Sequence, residues 1–221
     1  LPADCWAVSW ASLLLCQRPP TVDDYSLFIG PPGTGKTSYG LMRQLREELK
    51  LESNSVLLLS YTNRAVDEIC SKLLKDGLDF IRIGSRLSCP EEYKPYLLEN
   101  KVAGCENIHV IRRMLLSARI VVGTTTSITA HQEILTMRPF SLAIIDEASQ
   151  ILEPHLLGIM SAKCGEKSSI RRFYFFGDPK QLPAVVQQSD EESKVDQPLL
   201  NRIGLSNCRN SLFERLLRIS P

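Results

Sequence analysis

The chain has 221 residues, 43% of them hydrophobic, and its 26 basic and 25 acidic side chains leave a net charge of +1. This composition suits one α/β domain with a full core, and it excludes both a disordered chain and a protein that holds nucleic acid by bulk positive charge alone. Seven cysteines without a CxxC pair argue against a disulfide framework or a zinc site, and the apolar stretch at residues 5–16 is shorter than the about 20 residues of a membrane span.

The N-terminal part of the chain predicts a leader, a strand and a helix. We expect a cytoplasmic chain without a membrane partner, and its start at Leu1 indicates part of a longer protein. The apolar run at residues 25–29 predicts a buried strand, and Leu41, Leu45 and Leu49 give one apolar face to a helix that begins at Lys36. Residues 1–24 are then a leader ahead of the domain at 25–221, expected to pack near the turn between strand and helix.

Residues 30–37 (GPPGTGKT) form that turn and match the pattern of a phosphate-binding loop. Glycines let successive backbone N–H groups face an anion, and the N-terminus of the following helix adds its positive end. Lys36 would reach the β- and γ-phosphates of ATP, and the Thr37 hydroxyl would bind Mg²⁺. The alternative is a Gly/Pro turn that happens to precede a helix. The residues predicted to bind the nucleotide here are Gly30, Pro31, Pro32, Gly33, Thr34, Gly35, Lys36, Thr37 and Ser38.

The next elements continue the alternation of strand and helix. Residues 55–60 predict a strand buried on both faces, and residues 64–75 predict a helix that Gly77 ends. The stretch at 79–118 is less periodic, and we expect a short, mostly helical insertion there. Residues 119–122 then predict another buried strand.

Two acidic residues follow the apolar run at 142–145, which predicts a further strand. In an open α/β sheet the carboxyl ends of the strands are where ligands bind. Asp146 would hold the Mg²⁺, and Glu147 would orient and deprotonate the attacking water. The alternative is a strand followed by the acidic start of a helix, but a phosphate loop in the same chain favours the metal-binding interpretation.

The last predicted strand, at 171–176, runs into residues 177–183 (GDPKQLP). The amide of Gln181 can donate to a γ-phosphate oxygen, or the segment can be a plain Gly-Asp-Pro turn. Residues 187–198 are polar and acidic and predict a mobile surface loop. Ser211 and Glu214 have the spacing of a capping box, which predicts a C-terminal helix. Strands alternating with helices, each strand apolar throughout, predict a doubly wound, mostly parallel sheet.

Read together, the motifs have the order and spacing of one family: GPPGTGKT, YTNRAVDEI, VVGTTTS, IIDEASQ, GDPKQLPAVV and SLFERLL. The chain resembles the first RecA-like domain of superfamily-1B helicases, of the kind that act in nonsense-mediated decay and DNA flap processing. The resemblance covers residues 25–217. It implies a RecA-like P-loop domain that uses ATP and Mg²⁺ to move along single-stranded or partly duplex nucleic acid. A second RecA-like domain, which in the family carries arginine fingers, would lie outside this chain.

The resemblance also implies roles for individual residues. Lys36, Glu147 and Gln181 would take part in hydrolysis, with Gln150 as a second γ-phosphate sensor. The residues implied in contacting the nucleic-acid backbone are Thr62, Asn63, Arg64, Thr124 and Thr125, unless these only cap helices. The glutamine that reads adenine in the family has no counterpart at residues 4–15.

Two other interpretations remain open. The domain could be a nucleotide-gated clamp that holds nucleic acid or protein without unwinding, although such a switch has no need of Glu147. It could also be a P-loop enzyme of another family, although the sequence contains no Asn-Lys-x-Asp guanine signature.

Overall fold

The apolar runs form one central parallel sheet, seen in a computed structural model that describes residues 25–31, 35–105, 107–181 and 186–219. Its strands are β1 (Tyr25–Ile29), β2 (Val56–Ser60), β3 (Ile81–Ile83), β4 (Ile120–Thr124), β5 (Leu142–Ile145) and β8 (Phe173–Gly177). They are ordered β1-β8-β5-β2-β4-β3. A small antiparallel hairpin, β6 (Lys163–Cys164) and β7 (Lys167–Ser168), stands apart from the sheet. The predicted parallel sheet is therefore confirmed, and the leader at residues 1–24 lies outside the described residues.

Helices cover both faces of the sheet. They are α1 (Met42–Glu48), which continues a π-helical turn at Lys36–Leu41, α2 (Asn63–Lys75), α3 (Leu98–Lys101), α4 (Ile108–Ser117), α5 (Thr125–Ala130), α6 (Glu133–Met137), α7 (Glu153–Met160), α8 (Pro198–Arg202) and α9 (Leu212–Ile219). Helices α1 and α2 pack on one face, and α5, α6, α7 and α9 pack on the other. Within the described residues no helix has the length and apolar character that crossing a membrane requires.

The strand sequences account for this two-sided burial. Every residue of β2, β4, β5 and β8 is buried. Successive side chains of a strand point to opposite faces, so Leu57 and Leu59 enter one core while Val56 and Leu58 enter the other. A strand that is apolar at every position can only be stable between two layers of helices.

The segment at 79–118 contains helical turns and, in addition, one strand of the central sheet. It holds β3, two 3-10 turns at Arg86–Ser88 and Glu91–Tyr96, and the helices α3 and α4. The strand β3 was not predicted, since Arg82 interrupts its short apolar pattern. In the structure Arg82 is only 1% exposed, and an ion pair with Asp67 of α2 compensates the burial of its charge.

The C-terminal region keeps its predicted outline. Residues 186–197 lack regular helix or strand and are tied to the following segment by the Lys194–Asn207 bridge and by a hydrogen bond from Val195 N to Ser206 O of 2.9 Å. Their mobility stays a prediction. The capping box is confirmed, since Glu214 N donates to Ser211 Oγ at 3.1 Å and Ser211 N donates to Glu214 Oε2 at 3.3 Å.

Candidate active site

The sheet register brings the predicted chemical groups to one edge. Ile29 at the end of β1 pairs with Gly177 of β8, and Ile145 of β5 pairs with Phe175 and with Leu59. The segments that follow β1, β2, β5 and β8 therefore leave the sheet side by side at its carboxyl edge. In an open parallel sheet with helices on both faces, the crevice at the carboxyl ends of the strands is the expected ligand site.

The two ends of the phosphate loop lie within the described residues. Gly30 N donates to Gly177 O at 3.2 Å, which ties the loop to the end of β8. Gly35 has φ 78°, a left-handed conformation that suits glycine, and its carbonyl accepts from Tyr39 N at 2.7 Å. Pro31 and Ser38 are exposed. Pro32, Gly33, Thr34 and the side chains of Lys36 and Thr37 lie outside the described residues.

Asp146 and Glu147 lie where β5 ends, next to β2. The Asp146 side chain is buried, its N–H donates to Leu59 O at 2.8 Å, and its Oδ1 accepts from Glu147 N at 3.0 Å. Ser60 Oγ lies 3.5 Å from Glu147 Oε2 and 3.4 Å from Asp146 O. The last residue of β2 thus contacts the acidic pair. Sequence analysis missed Ser60, although a hydroxyl at the end of an apolar run was a usable signal.

Glu147 has a strained backbone and a perturbed carboxyl group. It is the one non-glycine residue with positive φ in the described part of the chain, at φ 54°. A left-handed backbone costs an ordinary residue about 1–2 kcal/mol, so the surrounding packing must hold it. Burial raises the pKa of the Glu147 carboxyl, the charges of Asp146 and Glu68 raise it further, and hydrogen bonds from Ser60 and Thr62 lower it in part. A raised carboxyl pKa suits a proton acceptor.

The two glutamines of the family resemblance meet across neighbouring strand ends. Gln150 Nε2 lies 3.5 Å from Gln181 Oε1, although the residues are 31 positions apart. Gln181 N donates to Asp178 O at 3.1 Å, and Asp178 N donates to Ser149 Oγ at 3.4 Å. Side-chain contacts therefore link the segment after β5 to the segment after β8. Both glutamine amides lie at the turn Ala148–Gln150, which directly follows Asp146 and Glu147.

A half-buried lysine near the acidic pair was also missed by sequence analysis. Burial lowers the pKa of Lys72 on α2, and the charges of Asp146 and Glu68 raise it in part. Nothing in the local sequence distinguishes this lysine from an ordinary helix-surface residue, so only the fold reveals its position.

The predicted nucleic-acid segments follow two adjacent strands, since Ser60 of β2 pairs with Thr124 of β4. Thr62 caps α2 by accepting from Ala65 N at 3.1 Å, and the next two residues, Asn63 and Arg64, are exposed. Thr124 caps α5 by accepting from Ser127 N at 3.0 Å. 

Thr124 and Thr125 differ from Asn63 and Arg64 in exposure. Both threonine side chains are buried, and Thr125 Oγ1 has no hydrogen-bond partner among the residues that the structure describes. Contacts from this segment would therefore come from the exposed Thr126 or from the backbone. The assignment of these residues to nucleic acid stays a prediction.

The residues at this edge fit Mg²⁺ with a nucleotide. Magnesium prefers a few carboxylate or hydroxyl oxygens together with phosphate oxygens, and Asp146 supplies a carboxylate at the same edge of the sheet as the phosphate loop. Among the described residues no group of three or more histidine, cysteine or acidic side chains could hold a metal by itself. Asp146, with Thr37 on the first turn of the helix, is the candidate ligand set.

Comparison with known proteins identifies relatives of this domain. A family model described as an AAA domain matches residues 10–110 and 103–189. The "DNA replication ATP-dependent helicase/nuclease JHS1" of Arabidopsis thaliana is 34% identical over 91% of this chain. The "DNA replication ATP-dependent helicase/nuclease DNA2" of Xenopus laevis is 33% identical over 88% of it. The chain spans only 13% and 16% of the length of these two relatives.

A solved structure supports the fold alone. A nuclease-deletion mutant of the Type ISP restriction-modification enzyme LlaGI, in complex with a DNA substrate mimic, superposes with a TM-score of 0.52 at 17% identity. The match covers 78% of this chain and 17% of that one.

Proposed function

Because the chain belongs to the AAA-domain family of superfamily-1B helicases, we propose that it binds and hydrolyses ATP to drive movement along single-stranded nucleic acid. The observation that carries this proposal is the setting of Glu147. This glutamate has a left-handed backbone and a carboxyl group with a raised pKa, and it lies at the end of β5 beside Ser60 and Thr62. A domain that only binds nucleotide has no use for such a group.

The phosphate loop and Asp146 supply binding. Backbone N–H groups of the loop and the side chain of Lys36 hold the phosphates, and Thr37 and Asp146 hold Mg²⁺. The bound metal ion would neutralise phosphate charge and orient the nucleotide. Asp146 keeps its place because its backbone N–H is bonded to β2 and its Oδ1 accepts from Glu147 N.

Glu147 and the glutamines supply the chemistry of hydrolysis. Glu147 accepts the proton of the attacking water, which its raised pKa favours. Gln181 and Gln150 donate to γ-phosphate oxygens and thereby respond to the presence of that phosphate. Their side chains lie 3.5 Å apart, close enough for one phosphate group to contact both.

Thr62 offers a path from nucleic acid to hydrolysis. Its side chain caps α2 and also bonds to the Glu147 carboxyl. The exposed Asn63 and Arg64 begin the same helix and can bind a phosphate backbone without reading sequence. A strand bound at the start of α2 would therefore act on the carboxylate through one intervening side chain.

The nucleic acid that we propose is DNA, because the relatives are named for DNA replication. A net charge of +1 gives the chain little long-range attraction for it. We therefore propose that a second RecA-like domain completes both the nucleic-acid track and the catalytic site. A missing arginine finger should cost about 10³–10⁵ in rate.

The test compares the 221-residue chain with a longer protein that includes the downstream domain. The short chain should bind Mg-ATP, hydrolyse it slowly, hold single-stranded DNA weakly and unwind nothing. The longer protein should hydrolyse ATP faster, bind single-stranded DNA more tightly and unwind duplex DNA. Single-stranded DNA should stimulate its ATP turnover. Single-stranded RNA of the same length serves as the comparison ligand.

Three outcomes would contradict the proposal. Unwinding by the short chain would refute the need for a second domain. Tight DNA binding by the longer protein without strand displacement would favour the clamp, and stimulation by RNA alone would refute DNA as the substrate.

A further inference from the structure

Helix α9 and the residue before it contact both segments that carry the glutamines. Its first residue follows Ser211, which forms an isolated antiparallel bridge with Leu152 just after Gln150. The ring of Phe213 packs on Gly177, where a Cβ would meet a ring atom at 2.8 Å. One short helix thus touches the chain a few residues from Gln150 and a few residues from Gln181.

Arg215 of α9 fastens this arrangement with three hydrogen bonds. Its Nε donates to Glu153 Oε2 at 2.7 Å, its Nη2 donates to Glu153 Oε1 at 2.6 Å, and its Nη1 donates to Ile203 O at 2.8 Å. Glu153 is 4% exposed and the Arg215 side chain 12% exposed. A bidentate pair in such surroundings fixes both distance and angle, so it fixes the turn Ala148–Gln150 relative to α9.

We propose that Arg215 is a positioning residue that holds Gln150 and Gln181 in register for the γ-phosphate. Arg215 fixes the position of the turn before Glu153, and Phe213 on the same helix fixes the position of the end of β8. The spacing between the two amides then depends on α9. This inference rests on the proposed role of the glutamines in binding ATP.

The test measures nucleotide preference in the 221-residue chain by calorimetry. Arg215→Met should leave the affinity for Mg-ADP unchanged and weaken binding of a non-hydrolysable Mg-ATP analogue roughly tenfold, the loss expected for a hydrogen bond to a charged group. Arg215→Lys, which keeps the charge but not the two-pronged bond, should lie between Arg215→Met and the wild type. In a Gln150→Ala/Gln181→Ala background, Arg215→Met should cause no further loss.

Arg172→Met is the matched control. Arg172 also forms a largely buried pair with a glutamate, at 2.6 Å from Glu48, but this pair joins the start of β8, at the amino edge of the sheet, to α1. It should lower thermal stability as Arg215→Met does, without changing the preference for the triphosphate.

The possible failures are distinguishable. A wild-type preference for the triphosphate that survives Arg215→Met, or a loss that adds fully to that of the glutamine variants, overturns this inference alone. A wild-type chain that binds neither nucleotide overturns the proposed function instead. If Arg215→Met does not fold, the Arg215→Lys variant and its combination with the glutamine variants decide the question in the same way.

Discussion

Polar side chains play different roles where the strands of the central sheet begin, which we call its amino edge, and where they end, at its carboxyl edge. At the amino edge they close turns with short bonds: Arg119 Nη2 donates to Leu49 O at 2.6 Å, and Ser141 Oγ donates to Ser55 O at 2.8 Å. At the carboxyl edge the contacts between the predicted catalytic side chains and their neighbours are longer, at 3.5 Å between Gln150 and Gln181 and at 3.5 Å between Ser60 and Glu147. The difference teaches that polar residues at strand ends serve stability at one edge and remain available for a ligand at the other.

The largest expected effect separates chemistry from binding at the carboxyl edge. Glu147→Gln keeps the shape of the side chain but cannot accept a proton, so ATP turnover in the longer protein should fall about 10²–10⁴-fold. The affinity for Mg-ATP, measured by calorimetry, should stay the same. Gln substitution at the exposed Glu166 is the control. Unchanged turnover would show that another group is the base.

The next effect tests the amino edge. Arg138 is buried and its Nη1 donates to Leu115 O and Ala118 O. Arg138→Met should lower the free energy of unfolding by about 1–3 kcal/mol for each carbonyl left without a partner, measured by urea denaturation, and should not change nucleotide affinity. Arg171→Met, at an exposed arginine of the same edge, is the matched variant. Weaker nucleotide binding in a folded Arg138→Met chain would contradict the division between the edges.

Lys36→Ala tests nucleotide binding at the carboxyl edge. Removing a charged donor from the phosphates should cost about 1.5–3 kcal/mol of nucleotide binding, roughly 10- to 150-fold in affinity. The thermal midpoint without nucleotide should change little. Lys75→Ala, at the exposed end of α2, controls for loss of a lysine elsewhere. Equal affinity of Lys36→Ala and wild type would refute the phosphate loop.

The smallest effect is a pH dependence of stability. The Glu147 pKa is raised in the folded state from an ordinary value of 4.5, so the folded protein binds this proton more tightly than the unfolded chain. Its stabilising contribution is full below pH 4.5 and is lost as the pH rises through the raised pKa. Glu147→Gln should therefore match the wild type in acid and exceed its stability near neutral pH. We expect the difference in the free energy of unfolding to be less than about 1 kcal/mol, because the group is partly exposed. A difference between the variant and the wild type that stays constant from acid to neutral pH would contradict the raised pKa.

The sequence predicted the parts of the fold that depend on neighbouring residues. Apolar runs placed β2 and β5, and the three-residue spacing of Ser211 and Glu214 placed the start of α9. The motifs also placed Asp146 and Glu147 at a strand end.

Pairings between distant residues could not be predicted in the same way. The buried Arg82 of β3 pairs with Asp67 from 15 positions away, and Arg215 meets Glu153 from 62 positions away. Neither pair leaves a pattern in the local sequence, since the charges resemble those of any solvent-exposed residue. The contact of Ser60 with Glu147 needed the order of the strands, which only the assembled sheet supplies.

The left-handed backbone of Glu147 has a consequence for engineering this domain. Glycine adopts φ 54° freely and asparagine does so more readily than glutamate. A library screened for heat resistance alone would therefore favour those residues at position 147 and discard the carboxylate with the strain. Thermostabilised versions that retain turnover must take their improvements from elsewhere in the chain, for example from surface helices that never touch the nucleotide.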